Sequence, residues 1–387
     1  HNAGSRNFAS LTAFTASDFG DLKMGAAGNP FYKESYYGER PYYQDRINGR
    51  DSLVSNPNKL VQKYSGYSQL DIMQKILYSP SDNWQHSLNV QYSTSSDIPR
   101  YDRLTDPKGS GLNSAEWYYG PQNRFLSVYS LTRFSEGFFS RYDMSASFQK
   151  VQESRHNRGF GSVKLNHRNE DVTVAGWQMS ARREGARHDL RTGVEVYWNG
   201  LKSTAYQENI ETMQTVSLDT RYPDGKNSVF NASVYATHTW RISRQLTLND
   251  GVRLGFNSLS STFGNKTFFP FPFDKVTQNN PVYSGSLGLI FKEKNLRASV
   301  LTSMGFRTPN IDDLAKVFES APGRLIIPNP SLRPEATWSK EANLGYFSKK
   351  WSLENVVYHS SLFDFIALAP GSLNGNDYVL YNDSLSR

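Results

Sequence analysis

Between residues 84 and 93 the chain alternates, one residue apolar or aromatic and the next polar. Trp84, His86, Leu88, Val90 and Tyr92 form one set, and Gln85, Ser87, Asn89, Gln91 and Ser93 form the other. The alternation returns with Tyr142, Met144, Ala146 and Phe148 against Arg141, Asp143, Ser145, Ser147 and Gln149. It returns again with Phe230, Ala232, Val234, Ala236 and Trp240 against Asn231, Ser233, Tyr235, Thr237 and Thr239. Side chains of a strand alternate faces, so each stretch predicts a ribbon with one apolar and one wet surface. About ten tilted residues carry a strand across bilayer hydrocarbon. The pattern therefore predicts an all-β protein, an antiparallel transmembrane β-barrel with lipid outside and water within.

Six short connections punctuate the strands: Ser79–Asn83, Ser135–Gly137, Glu184–Arg187, Ser243–Arg244, Lys292–Asn295 and Ser348–Lys350. Between them lie long stretches rich in Asn, Asp, Pro, Gly, Ser and Tyr, such as 97–120 and 200–228, which read as loops. In barrels of this type the short turns face the periplasm and the long loops face outward. Aromatic residues flank the short turns (Tyr78, Trp84, Phe134, Phe138, Trp240, Phe291, Phe347 and Trp351). Amphipathic rings favour the headgroup level, so their recurrence there predicts a girdle. The count is about thirteen strands, from near Asn7 to near Phe363. An odd number does not close the usual bacterial single-chain barrel. The chain is therefore expected to be part of a longer wall.

Composition agrees. Of 387 residues, 37% are hydrophobic and 14% aromatic. That is lean for a soluble core of this length but sufficient for one outward apolar layer. Mean hydropathy is −0.61, and no apolar run approaches the roughly eighteen residues of a transmembrane helix. With no cysteine, neither a disulfide framework nor a thiolate metal site is possible. The formal charge is +7, but Lys and Arg are scattered rather than gathered into a stripe, so no nucleic-acid partner is expected. Basic loops suit anionic outer-membrane lipid, an anionic ligand, or plain solvation.

Enzyme signatures are absent: there is no Gly-x-Ser-x-Gly elbow, phosphate loop or His-Glu-x-x-His. Glu170-Asp171 and Asp312-Asp313 read as adjacent strand residues pointing to opposite faces, and neither pair shares a substrate. No cofactor or metal site is expected. His156 reads as a loop residue, either an axial ligand or a solvated side chain. His86, His188 and His238 fall within strands beside turns.

The most specific motif runs from Gly305 to Leu314 (Gly-Phe-Arg-Thr-Pro-Asn-Ile-Asp-Asp-Leu) and from Pro328 to Glu335 (Pro-Asn-Pro-Ser-Leu-Arg-Pro-Glu). It resembles the Phe-Arg-Ala-Pro and Asn-Pro-Asn-Leu pair of TonB-dependent outer-membrane receptors. Phe306, Arg307, Pro309 and Asn310 carry the first element, and Asn329, Pro330, Leu332 and Glu335 the second. Thr308 replaces the usual Ala, and Ser331 the usual Asn or Asp. A second match, at 96–104 and 115–122, looks like receptors of the Bacteroidetes lineage.

The resemblance implies a barrel of about twenty-two strands with an N-terminal plug. Residues 1–387 would be an incomplete barrel lacking plug and C-terminal strands. It also implies an outer-membrane receptor, not an enzyme, that binds a scarce nutrient outside the cell. Import would draw on energy delivered by a TonB-type coupling protein through the plug. An iron-siderophore or other iron chelate is favoured. A passive porin, a surface adhesin and a soluble β-rich binding module are the alternatives. Haem receptors of the family carry a histidine between the two motif elements; none lies between Phe306 and Leu332.

Arg100, Tyr101, Arg103, Trp117, Tyr118 and Tyr119 crowd one long loop. Guanidinium forks beside aromatic faces suit sugars, catecholate siderophores or peptides, and equally serve to fold a loop on itself. Arg307 is a further ligand candidate. It is also placed to pair with Glu335 across the loop base, where the motif shapes the loop.

Overall fold

The computed structural model describes residues 1–25, 39–109, 111–268, 271, 273–315, 318–321, 324–327, 329–373 and 376–385, with side chains omitted for 315–327 and 371–385. Thirteen strands pair antiparallel, each with the next in the chain. They are β1 (Phe8–Phe19), β2 (Tyr67–Ser81), β3 (Trp84–Ser95), β4 (Asn123–Phe134), β5 (Arg141–Gly159), β6 (Lys164–Glu184) and β7 (His188–Asn209). There follow β8 (Asn227–Arg241), β9 (Leu246–Thr262), β10 (Lys275–Glu293), β11 (Leu296–Arg307), β12 (Glu335–Phe347) and β13 (Ser352–Phe363). The wall thus begins and ends where the alternation places its limits, and the six short turns all fall on one edge.

The ribbon periodicity holds across the wall. Phe148, Val234, Leu254 and Val300 stand 45–56% exposed on one face, as lipid-facing side chains must. The opposite face is a ladder of polar contacts. Asn257 donates to Asn231 Oδ1 at 2.8 Å, Thr132 to Asp143 at 2.7 Å, and Arg253 to Glu195 at 2.7 Å. At the short-turn edge Tyr346 packs on Trp351, and the Arg183 guanidinium lies over Phe138. Pro80 has no amide hydrogen, and the β2–β3 ladder shifts register between Tyr78 and Ser81.

One expectation needs correction here. Residues 200–209, read as loop, continue β7, and β5 meets β6 through only four residues, 160–163. Strands β5, β6 and β7 run 19, 21 and 22 residues, about twice what hydrocarbon requires. Their far ends therefore stand above the bilayer, where both faces are wet. The apolar alternation fades there while the backbone ladder continues. The C-terminal residues, beyond the strand count that ends near Phe363, form a hairpin, Phe365–Leu373 with Asn376–Leu385. Among the described residues it pairs with Arg324–Ile327 and not with the wall.

The loop after β3 also returns to the sheet. Ser114–Tyr119 pairs with the upper part of β5, matching Tyr118 to His156 and Tyr119 to Arg155. Gly120 makes the entry into β4 possible. Its φ is 106°, and a Cβ there would sit 2.8 Å from the Ser96 carbonyl. A small apolar core seals the loop edge: Leu259 of β9 and Val276 of β10 pack with Phe263, Phe271, Leu314, Leu332 and Ile366.

Candidate functional site

The motif residues gather at the base of the segment between β11 and β12. Arg307 ends β11 directly opposite Glu335, which opens β12. Its Nε donates to Glu335 Oε2 at 2.7 Å and its Nη1 to Asp313 Oδ2 at 2.6 Å. Asp312 and Asp313 lie in a helical turn, Ile311–Ala315, not in the strand expected for them. The reason is a reciprocal cap. Asn310 Oδ1 accepts from the Asp313 amide at 3.0 Å, and Asp313 Oδ2 accepts from the Asn310 amide at 3.1 Å. Pro309 precedes this turn and is fully buried.

The second motif element is anchored likewise. Gln278 Nε2 donates to the carbonyls of Pro330 and Leu332, at 3.1 and 2.6 Å. Leu332 enters the apolar core, and Asn329 Oδ1 accepts from both the amide and hydroxyl of Ser331. Glu335 Oε1 accepts from the Ile366 amide at 2.6 Å. Phe306 falls on the lipid-facing side of β11, in register with Ala336. Pro328 lies outside the described residues. Arg307, Asp313, Asn329 and Glu335 thus all spend their polar groups on shaping the loop.

The loop residues proposed to meet ligand divide into separate groups. Arg100 lies over Trp117 with 4.8 Å to the ring centroid, and its Nη1 donates to the Tyr119 hydroxyl at 3.1 Å. Trp117 meets Tyr119 edge-on at 4.9 Å, and Arg155 of β5 covers Tyr119 from 5.4 Å. Arg155 alternates with His156 and shares its face with Glu153, so this cluster points toward the lumen. Tyr101 lines a cleft of about 370 Å³ with Tyr42, Tyr64 and Arg158, and Trp117 and Tyr118 reach its wall too. Arg103 is half exposed beside Asp102 and Asp106. Tyr118 points to the opposite face from its neighbours Trp117 and Tyr119.

There Tyr118 stacks on His156 at 4.7 Å; His156 meets His167, and His167 stacks on Tyr206 at 4.5 Å. His156 is therefore a buried residue of β5, not the loop residue expected. Burial, and then the neighbouring His167, pull its pKa down to about 4. Arg158, two residues on, is 1% exposed and carries Asp51 and Glu116 on its guanidinium at 2.7 and 2.6 Å. Burial opposes the Asp51 charge, but Arg158 holds its carboxyl below the usual range. Asp51 belongs to a hairpin, Tyr42–Ile47 with Arg50–Ser55, that is thereby pinned on the column.

Sequence reasoning missed a lumen-facing cleft of about 430 Å³ beside the Arg100 cluster, lined by Glu153, Glu170, Arg221, Tyr222, Asn310 and Asp312. Glu170 is 4% exposed, and burial raises its pKa. Tyr222 is pushed up to about 12, by burial first and then by Asp312. The available signal was the lumen-side parity of Glu153 and Glu170, hidden because the polar stretch around them shows no alternation. Among the described residues no group of three or more His, Cys, Asp or Glu is placed to hold a metal ion.

Paired strands with an apolar outer face, aromatic residues at the turn edge and a polar lumen face define a transmembrane β-barrel wall of the outer-membrane type. The chain belongs to the TonB-dependent receptor family, matching "TonB dependent receptor-like, beta-barrel" over residues 2–384. Family members are outer-membrane transport proteins and not enzymes. Over 181 residues the chain is 29% identical to the probable hemoglobin and hemoglobin-haptoglobin-binding protein 4 of Haemophilus influenzae, covering 43% of this chain and 18% of that protein.

Its fold is similar to the copper transporter OprC (TM-score 0.69, 13% identity, 99% of this chain and 53% of that one). It is also similar to the Serratia marcescens hemophore receptor HasR (0.65, 12%, 100% and 56%) and to the FrpB iron transporter of Neisseria meningitidis (0.65, 14%, 99% and 54%). The chain thus spans about half the length of these solved structures.

Proposed function

We propose that residues 1–387 are part of the barrel of an active importer, whose plug and remaining strands belong to the rest of the protein. A scarce nutrient binds at the extracellular mouth and enters with energy relayed by a TonB-type coupling protein through the plug. The observation that carries the ligand site is the Arg100–Trp117–Tyr119–Arg155 cluster. Two guanidinium groups and two aromatic faces converge on the lumen side of the wall, which supports this cluster as the place where cargo is held. An iron chelate is the favoured cargo. Relatives named for hemoglobin, for a heme-carrying hemophore and for iron support that choice, and flat or anionic chelates suit stacked rings beside arginine.

Uptake by whole cells before and after dissipation of the proton gradient tests this reading. Energised cells take up the iron chelate and de-energised cells stop. Uptake that persists identifies a passive porin instead.

A further inference from the structure

Glu153 and Glu170 face each other directly across β5 and β6, on the lumen side. Like charges at opposed positions destabilise a sheet unless a cation answers them. Glu170 is 96% buried, Oε1 has only a long contact with Ser203 at 3.4 Å, and Oε2 accepts no hydrogen bond. A buried carboxylate oxygen with no donor carries a desolvation cost that a bound donor would recover. Around the same cleft stand a third carboxylate, Asp312, and one guanidinium, Arg221. The Arg155 guanidinium, which lies over Tyr119, also acts on Glu170, as Arg221 does. Arg221 is turned over its neighbour Tyr222 at 5.3 Å, and its Nε donates to nothing. Three carboxylates thus face two guanidinium groups, and the most deeply buried acceptor has no donor.

We propose that this cleft binds a cationic, hydrogen-bond-donating group, a primary ammonium or guanidinium, with Glu170 Oε2 as acceptor and Glu153 as the second carboxylate. The inference rests on the import reading above and names one chemical feature of the cargo: an exposed amine or guanidine arm beside whatever the aromatic cluster holds. The space admits an alkyl arm of several carbons against Val172, Leu201 and Val229. Arg221 limits affinity, because it competes for the same carboxylates and repels the incoming charge.

The test uses purified full-length receptor in detergent, titrated calorimetrically with cadaverine and with 1,5-pentanediol, its uncharged isostere, at pH 7.5. Saturable binding of cadaverine and none of the diol is expected. Glu170→Gln should weaken cadaverine at least tenfold, and Arg221→Gln should strengthen it severalfold. Opposite shifts at two neighbouring positions do not arise from misfolding, which heat-modifiable gel mobility reads separately. Glu136→Gln, at a short turn, should change nothing. Equal binding of amine and diol, no cadaverine binding, or indifference to Glu170→Gln overturns the inference. Because calorimetry needs no energised membrane, a receptor that imports its nutrient but ignores cadaverine refutes this inference alone. One that binds cadaverine but whose cells import without a gradient refutes the import reading alone.

Discussion

The Nδ1 atoms of His156 and His167 lie 2.7 Å apart on adjacent strands. One must carry a proton and the other must not, so the pair tolerates at most one extra charge at great cost. The folded pKa of His156, about 4, lies below the ordinary 6.5. Between these values the unfolded chain binds more protons than the folded one, so stability falls as pH drops through that window. Histidine nitrogen shifts in labelled receptor should show His156 still neutral at pH 5. Protonation near 6.5 would mean the column is open to water.

Replacing Asp51 by Ala strands the Arg158 guanidinium beneath the hairpin. Their side chains are 0% and 1% exposed, and breaking a buried ion pair from one side costs about 3–5 kcal/mol. Glu116 and the Ser162 carbonyl remain as partners, so the loss should fall at the low end. Limited proteolysis should cut the 42–55 hairpin at least tenfold faster than in the parent while the wall persists. An unchanged rate contradicts the pinning.

Arg307→Ala removes the tie between Asp313 and Glu335. Arg307 is 44% exposed, so screening reduces the effect to about 1–2 kcal/mol. The segment between β11 and β12 should become protease-sensitive with gel mobility of the barrel unaltered. Loss of ligand affinity without loosening would instead mark Arg307 as a direct contact.

Trp117→Ala and Arg100→Ala should each lower affinity for the transported chelate about tenfold or more, the scale of an interface anchor. Binding to purified receptor measures this. If both variants bind like the parent, the cluster serves only to fold its loop.

The wall was legible because its physics is one-dimensional. Val234 and Ser233 must face different solvents, and that shows in sequence at every step across the lipid. Above the bilayer the rule lapses. His156, Glu170 and the extension of β7 sit in polar stretches whose strand character comes from pairing with neighbours, which no local pattern reveals. The motif at Arg307 was recognisable, and its pairing with Glu335 followed from strand direction. The cap joining Asn310 to Asp313 has a short-range signature, but reading Asp312-Asp313 as strand concealed it. Trp117, Tyr118 and Tyr119 were found as composition, while their division between two faces needed the register with β5.

Lipid contact at neighbouring residues of β8 tests the wall most directly. Single nitroxide labels at Ala232, Val234 and Ala236, and at Asn231, Ser233 and Tyr235, can be read by electron paramagnetic resonance for collision with oxygen dissolved in lipid and with an aqueous nickel chelate. The even positions should meet oxygen and the odd ones the chelate, alternating residue by residue. Uniform accessibility, or the reverse alternation, contradicts a membrane wall with its apolar face outward.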